Sequence, residues 1–372
     1  MKSMFKSLSV AVLSLLLLAG TGLAADTVKV GFGGVLSGDL APYGISALRG
    51  TKMAIDDLNA KGGIMGKQIE LLEGDDVCKP EIAVNVATKL VSDGAQVITG
   101  HICSGATIAA NKIYKDANLI VLSASATNDD LTLTGDHPNF FRTIAYDGAQ
   151  AALMSSFVKN ELKATKVALI HDKGDYGKGQ MELVKAALEK IGGVEIALFE
   201  GVTTGAVDFT AIVQKIKRSK APVTLWGGYH SDASKIIQLL NKKKVKTTVF
   251  GGDGIFSDNF TALAGKYAEG VYATGPNDTS SNALHQEITK KHQTQYNEDP
   301  GTFFYNAYAG MQALAAAAEK AGSLEFDALR KALMDVTVDS PLGPIGFDQN
   351  GDVVGAGFSV YKVVNGKYQQ VK

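Results

Sequence analysis

The chain has 372 residues, 45% of them hydrophobic and 20% charged, with 37 Lys and Arg against 38 Asp and Glu. This is the balance of an ordinary globular protein, with no basic surplus to favour nucleic acid or an acidic membrane as partner. The length suits two domains of common size.

Lys2 and Lys6 precede an apolar run from Val10 to Ala19, and Gly22 and Ala24 put small residues at −3 and −1 of a cleavage point. Residues 1–24 are therefore read as a secretory signal cleaved after Ala24, directing the chain to the periplasm. Removing two lysines and no acid leaves 35 − 38 = −3 charges. No cysteine follows the apolar run, which argues against a lipid anchor, and no later segment is apolar for long enough to span a bilayer. In an exported chain the only two cysteines are read as one disulfide, Cys78–Cys103.

Val28–Gly33 is a short strand, followed by a Gly/Ser/Pro loop (37–44) and a helix with Leu48, Ile55 and Leu58 on one face. Buried-strand candidates follow at Ile69–Leu72, Gln96–Ile98 and Leu119–Leu122, with helices at Glu81–Asp93 and Thr107–Ala117 between them. Repeated βα units imply a parallel sheet covered on both faces. The pattern restarts near Lys166. Strands are expected at Val167–Ile170, Val194–Phe199, Val223–Trp226, Val249–Gly251 and Val271–Thr274, with apolar helical stripes between them. The end differs: a long Ala-rich helix (Phe303–Ala321), a short one (Leu329–Met334), then Asn350-Gly351 and Asn365-Gly366 between apolar runs. Each Asn-Gly pair is a hairpin signal in which both residues must accept positive φ. Two α/β domains are built in succession, and the chain then returns to finish both.

Catalytic and nucleotide motifs fail on inspection. Gly31-Phe32-Gly33-Gly34-Val35-Leu36 has leucine where a dinucleotide fingerprint needs glycine. Gly177-Lys178 lacks the spacing of a phosphate loop, and no Gly-x-Ser-x-Gly elbow is present. The six histidines show no metal-ligand spacing. His101 and His230 are read as structural hydrogen-bonding residues and Asp75-Asp76 as a solvated turn. No catalytic residue, metal site or cofactor is expected.

Nine segments, in order and spacing, carry a resemblance: LSGDLAPYG (36–44), DDLNAKGGI (56–64), DDVCKP (75–80), GHICSGAT (100–107), SASATNDDLT (123–132), HDKGDYGKG (171–179), WGGYH (226–230), GGDG (251–254) and DPGTFFYNAY (299–308). From about Val28 to the C-terminus the chain resembles the periplasmic branched-chain amino-acid-binding proteins, the Leu/Ile/Val receptors of ABC importers. The resemblance implies two doubly wound α/β lobes with parallel-sheet cores, joined by three crossovers in a clamshell. Lobe one would be 27–145 plus 276–353, and lobe two 146–275 plus 354–372.

It also implies site residues. Ser104 would bind the ligand α-carboxylate, at a helix N-terminus whose free N–H groups suit an anion; its alternative is a plain N-cap. In Ser125-Ala126-Thr127, the Ser125 carbonyl would take the ammonium, and the Thr127 hydroxyl and N–H would help hold the carboxylate. Asp253 stands where the family commonly has a glutamate that pairs with the ammonium, one methylene longer. Tyr43, Ile102, Cys103, Tyr176, Tyr229 and Phe303 match pocket walls, with Tyr176 and Tyr229 closing from lobe two. The expected partners are a small amino acid (Leu, Ile or Val) and a membrane permease, with the receptor a monomer. The alternatives are another small amino acid, an amide or an aromatic acid as ligand, or a ligand-sensing role.

Overall fold

A computed structural model describes residues 27–372, so the secretory-signal reading of 1–24 lies outside the described residues. The first sheet is wholly parallel, in the order β2-β1-β3-β4-β5. Its strands are β1 (Val28–Gly34), β2 (Ile69–Asp75), β3 (Val97–Gly100), β4 (Val121–Ser123) and β5 (Phe140–Arg142). β1 and β3 are buried almost throughout, as expected of central parallel strands with helices on both faces. The covering helices are α1 (Ala41–Ala60), α2 (Pro80–Ser92), α3 (Ser104–Asp116) and the short α4 (Asp130–Leu133). Pro42 and Pro80 sit in the first turns of α1 and α2, where a missing N–H costs nothing. Gly44 lets α1 lie on the end of β1, because a Cβ there would fall 1.8 Å from the Val35 carbonyl oxygen.

The chain then crosses to a second sheet, ordered β15-β14-β10-β9-β8-β6-β7. After α5 (Asp147–Asn160) come β6 (Lys166–His171), α6 (Asp175–Ile191), β7 (Glu195–Gly201), α7 (Thr210–Ser219), β8 (Val223–Gly227), α8 (His230–Lys242), β9 (Thr248–Gly251), α9 (Asp258–Ala264) and β10 (Tyr272–Pro276). It returns to the first sheet with α10 (Ala283–Tyr296), α11 (Phe304–Ala321) and α12 (Phe326–Asp335), whose Ile288, Phe304, Met311 and Leu329 share a core with Val28 and Val30. A small antiparallel sheet of β11 (Val338–Ser340), β12 (Gly343–Phe347) and β13 (Val353–Val354) follows. The third passage brings β14 (Phe358–Val364), antiparallel to β10, and β15 (Lys367–Gln370).

Three expectations need correction. Asn365 and Gly366 both adopt positive φ (53° and 75°) in a two-residue turn between Val364 and Lys367, as the motif predicts. At Asn350-Gly351 only Gly351 does (91°), because Asp348 Oδ1 accepts from the N–H groups of Asn350 and Asp352 and builds a longer loop. The helix expected from Thr107 begins three residues earlier at Ser104, with Cys103 as N-cap, so Ser104 is not a plain N-cap. Asp75-Asp76 is not a solvated turn: Asp76 is fully buried, with Oδ2 2.5 Å from His101 Nδ1 and Oδ1 accepting from the Cys78 N–H.

Candidate functional site

In each sheet the strand order reverses at one place, between β1 and β3 in the first and between β6 and β8 in the second. Open α/β sheets bind ligands at such switch points, beyond the carboxyl ends of the strands. The loops leaving those ends carry the expected residues: 101–104 after β3, 124–128 after β4, 172–176 after β6, 228–230 after β8 and 252–254 after β9.

On the first-sheet side, Cys78 and Cys103 form the disulfide. His101, fully buried between Asp76 and Tyr114 Oη (2.9 Å), braces the same corner. Cys103 is held by sulfur and gives no side-chain cap, so the first-turn N–H groups of α3 are left to other partners. Ser104 Oγ accepts from the Asn128 N–H at 3.3 Å. Ser125 turns its hydroxyl away, donating to the Ile102 carbonyl at 2.6 Å. The Ala126 carbonyl accepts from the Arg142 guanidinium at 3.2 Å. The Thr127 carbonyl accepts from the Asp147 N–H at 2.8 Å, and the Thr127 hydroxyl is buried beside the Asp147 carboxyl. Tyr43, Ile102, Cys103, Ala126 and Phe303 lie in one apolar cluster against which Tyr229 packs.

On the second-sheet side, Asp253 is 2% exposed. Its Oδ1 accepts from Tyr176 Oη (2.7 Å) and Gln150 Nε2 (3.1 Å), and its N–H donates to Gln150 Oε1 (2.8 Å). Burial pushes this carboxyl up to about 6, against hydrogen bonds that favour the anion. Burial also lifts the phenols of Tyr43, Tyr176 and Tyr229, so all three are neutral hydrogen-bonding groups. The Tyr229 ring lies 5.2 Å from Tyr176 and 6.3 Å from Tyr43.

The two sides touch. Tyr43 Oη donates to the Gly254 carbonyl at 2.7 Å, Asn128 Nδ2 to the Asp175 carbonyl at 2.8 Å and Thr302 Oγ1 to the Phe256 carbonyl at 2.9 Å. His230 bridges Tyr43 Oη (2.6 Å) and the Asp39 carbonyl (3.1 Å). Gly105 permits the approach of α3 to α6, since a Cβ there would stand 2.6 Å from Asp175 Oδ2.

Sequence reasoning missed several residues here. Arg142 is buried, paired with Asp352 at 2.5 Å, and donates to the carbonyls of Ala126 and Asn128, so it fixes the 126–128 loop. Asp147 and Gln150, both fully buried, lie three apart in the first turn of α5. That spacing places two polar side chains on one inward helix face, which is the signal that could have found them. Among the described residues no cluster of His, Cys, Asp and Glu is arranged to hold a metal ion.

The periplasmic binding protein family model matches residues 27–367. The leucine-, isoleucine-, valine-, threonine- and alanine-binding protein of Pseudomonas aeruginosa is 33% identical over 344 residues, 92% of each chain. The Leu/Ile/Val-binding protein of Escherichia coli K12 is 32% identical over 337 residues, 91% of each. Among solved structures, the Streptococcus pneumoniae branched-chain amino acid transporter substrate-binding protein LivJ, in complex with isoleucine, has a TM-score of 0.83 at 29% identity, covering 93% of this chain and 99% of that one. A benzoate-bound solute-binding protein from R. palustris shares the fold at 22% identity and TM-score 0.83, covering 93% and 95%.

Proposed function

The chain belongs to the periplasmic binding protein family, and from that premise we propose that it captures leucine, isoleucine or valine between its lobes and delivers it to the permease of an ABC importer. It is exported to the periplasm, with 1–24 as its signal, and it acts by binding, with no chemical step.

The observation that carries this reading is Asp253, a buried acid whose protein partners are a neutral phenol and a neutral amide. A buried anion without a cation is costly, and a ligand ammonium supplies one. The ligand carboxylate has its counterpart in α3, whose uncapped N-terminus offers N–H groups and the positive end of the helix dipole beside Ser104. Tyr43, Ile102, Tyr176, Tyr229 and Phe303 then enclose an aliphatic side chain, where aromatic walls exclude water. The relatives' printed ligands support the same class.

Capture is a change of state. A ligand that touches both lobes favours the conformer in which they meet, here with Tyr43 on Gly254 and Asn128 on Asp175, because its own contacts to both lobes can form together only there. That closed shape is what the permease recognises. The disulfide, at a sequence separation of 25 residues, ties the Ser104 corner to the loop after β2, and in the chain-entropy picture it stabilises the fold by constraining the unfolded chain.

The test is a thermal-shift screen of the ligand-stripped mature chain against the twenty amino acids, acetamide and benzoate. Leucine, isoleucine or valine at a hundredfold excess over Kd should stabilise it by about 2.7 kcal/mol, read as a rise in Tm. A rise with benzoate or acetamide and none with any amino acid would leave the fold standing and sink the ligand class.

A further inference from the structure

Three helices of the second sheet pass into their strands through lysines with left-handed backbone. Lys163, Lys220 and Lys244 take φ of 49°, 53° and 52°, between α5 and β6, α7 and β8, and α8 and β9. The matching passages of the first sheet use Gly94, between α2 and β3, and Asn118, between α3 and β4. Glycine and asparagine suit this conformation, and a lysine Cβ does not. At α8 the turn itself is no different. The Lys244 N–H donates to the Asn241 carbonyl and the Val245 N–H to the Leu240 carbonyl, as Gly94 does to Val91 and Ala95 to Leu90. Turn geometry therefore gives no reason for lysine, and charge is what the three positions share.

β9, β8 and β6 are neighbours in the sheet, so their entry turns lie side by side at its amino edge. The Thr248 N–H on the Pro222 carbonyl, at 2.8 Å, ties two of these turns together. Lys217 and Arg218 in the last turn of α7, and Lys242, Lys243 and Lys246 around the end of α8, join the same pole. All of these cations are exposed, and among the described residues none forms an ion pair or a side-chain hydrogen bond. A helix dipole favours a cation in the last turn, but one at each end would serve, and Lys246 lies beyond it. Nearby acids are engaged: Glu161 with Lys372, Glu195 with Lys166, and Glu269 with the N–H groups of Asn365 and Gly366. Asp208, held by Thr210, feels the Lys243 charge. The near-even total of 37 basic and 38 acidic residues conceals this segregation.

We propose that this pole is a docking surface for an anionic lipid bilayer. Lysines dominate it, and compact, hydrated point charges suit a diffuse layer of lipid phosphates, whereas bidentate capture of a single phosphate uses arginine. No aromatic residue lies in 160–166, 217–222 or 241–248 to stack on a nucleic-acid base. The amino edge of the sheet is the far end from the loops that carry the candidate site, so docking leaves the cleft open to solvent. A docked chain moves in the plane of the membrane and meets membrane partners by a two-dimensional search. The inference goes beyond the ligand reading and does not depend on it.

Vesicle co-sedimentation of the mature chain tests it, with phosphatidylcholine alone and with about one-third phosphatidylglycerol, at about 0.1 M salt. The chain should pellet with the anionic vesicles, stay in solution with the neutral ones, and be released as salt rises. Lys163→Gly, Lys220→Gly and Lys244→Gly together relieve the backbone and remove charge. Tm should hold or rise while vesicle affinity falls by about tenfold or more. Lys242→Gln, Lys243→Gln and Lys246→Gln leave the left-handed residues untouched and should weaken binding in the same way, so they decide if the first set does not fold. Lys61→Ala, Lys112→Ala and Lys331→Ala remove as much charge from exposed, unpaired lysines around the first sheet and should leave binding in place. No binding of the unaltered chain to anionic vesicles, or equal losses in the pole and first-sheet variants, would overturn the inference. Either result leaves the amino-acid reading untouched.

Discussion

Asp253 is a buried acid whose neighbours favour the anion without neutralising it, and on the proposed reading it sets the chemistry of the cleft. Its carboxyl is raised to about 6, so below that pH the ligand-free protein holds it protonated, and the acid's contribution to stability is lost as pH rises from its unfolded value through about 6, where it ionises. A ligand cation has the opposite preference and needs the ionised form. The isoleucine-induced rise in Tm should therefore widen between about pH 4 and pH 7, and Asp253→Asn should flatten that dependence; scanning calorimetry across the range checks both. Arg142 acts at the same scale. Replacing it with Met would leave the Asp352 carboxylate buried without its partner and free the 126–128 loop. A cost of about 3–5 kcal/mol is expected in denaturant unfolding, with weakened isoleucine affinity in the folded fraction. Ser104 and Asp253 could be singled out as candidates because each lies in a short motif, GHICSGAT and GGDG. Arg142 was not, because its partners Asp352, Ala126 and Asn128 are brought to it only by the fold, one of them 210 residues away.

Among elements, α3 matters most, because its start is fixed from three directions: the disulfide, the His101–Asp76 pair and the Asn128 N–H on Ser104. Replacing both cysteines by alanine should cost about 3 kcal/mol on the chain-entropy model, read in urea unfolding. The loss in ligand affinity should exceed that of a surface mutant of equal stability, since the corner itself loosens. Gly44→Ala is a second test. The added Cβ meets the Val35 carbonyl and must push α1, and Tyr43 with it, away from β1. A cost of about 1–3 kcal/mol with weaker closure is expected. Strand and helix positions were readable wherever apolar periodicity was long, as in α8 with buried Ile236, Ile237 and Leu240. β5 is only three residues long, and α10 is mostly polar with Ile288 and His292 alone buried, so neither left a pattern to read. The two Asn-Gly pairs separate the same way: Asn365-Gly366 is decided locally, whereas Asp348 redirects the backbone at Asn350-Gly351.

For the molecule as a whole, the candidate site depends on two sheets presenting their switch points to each other. Neither half carries both the α3 N-terminus and Asp253. The pairing of a restart near Lys166 with late hairpins was enough to suggest that the chain returns to complete both halves, and β14 and β15 do join the second sheet. The facing contacts were beyond reach of sequence patterns, since Tyr43–Gly254 and His230–Asp39 join residues 211 and 191 positions apart. Those contacts make closure the central claim, and small-angle X-ray scattering of the ligand-stripped mature chain, titrated with isoleucine, tests it most directly. The radius of gyration should shrink and saturate at one isoleucine per chain. A scattering curve unchanged at saturating leucine, isoleucine and valine would contradict capture by lobe closure.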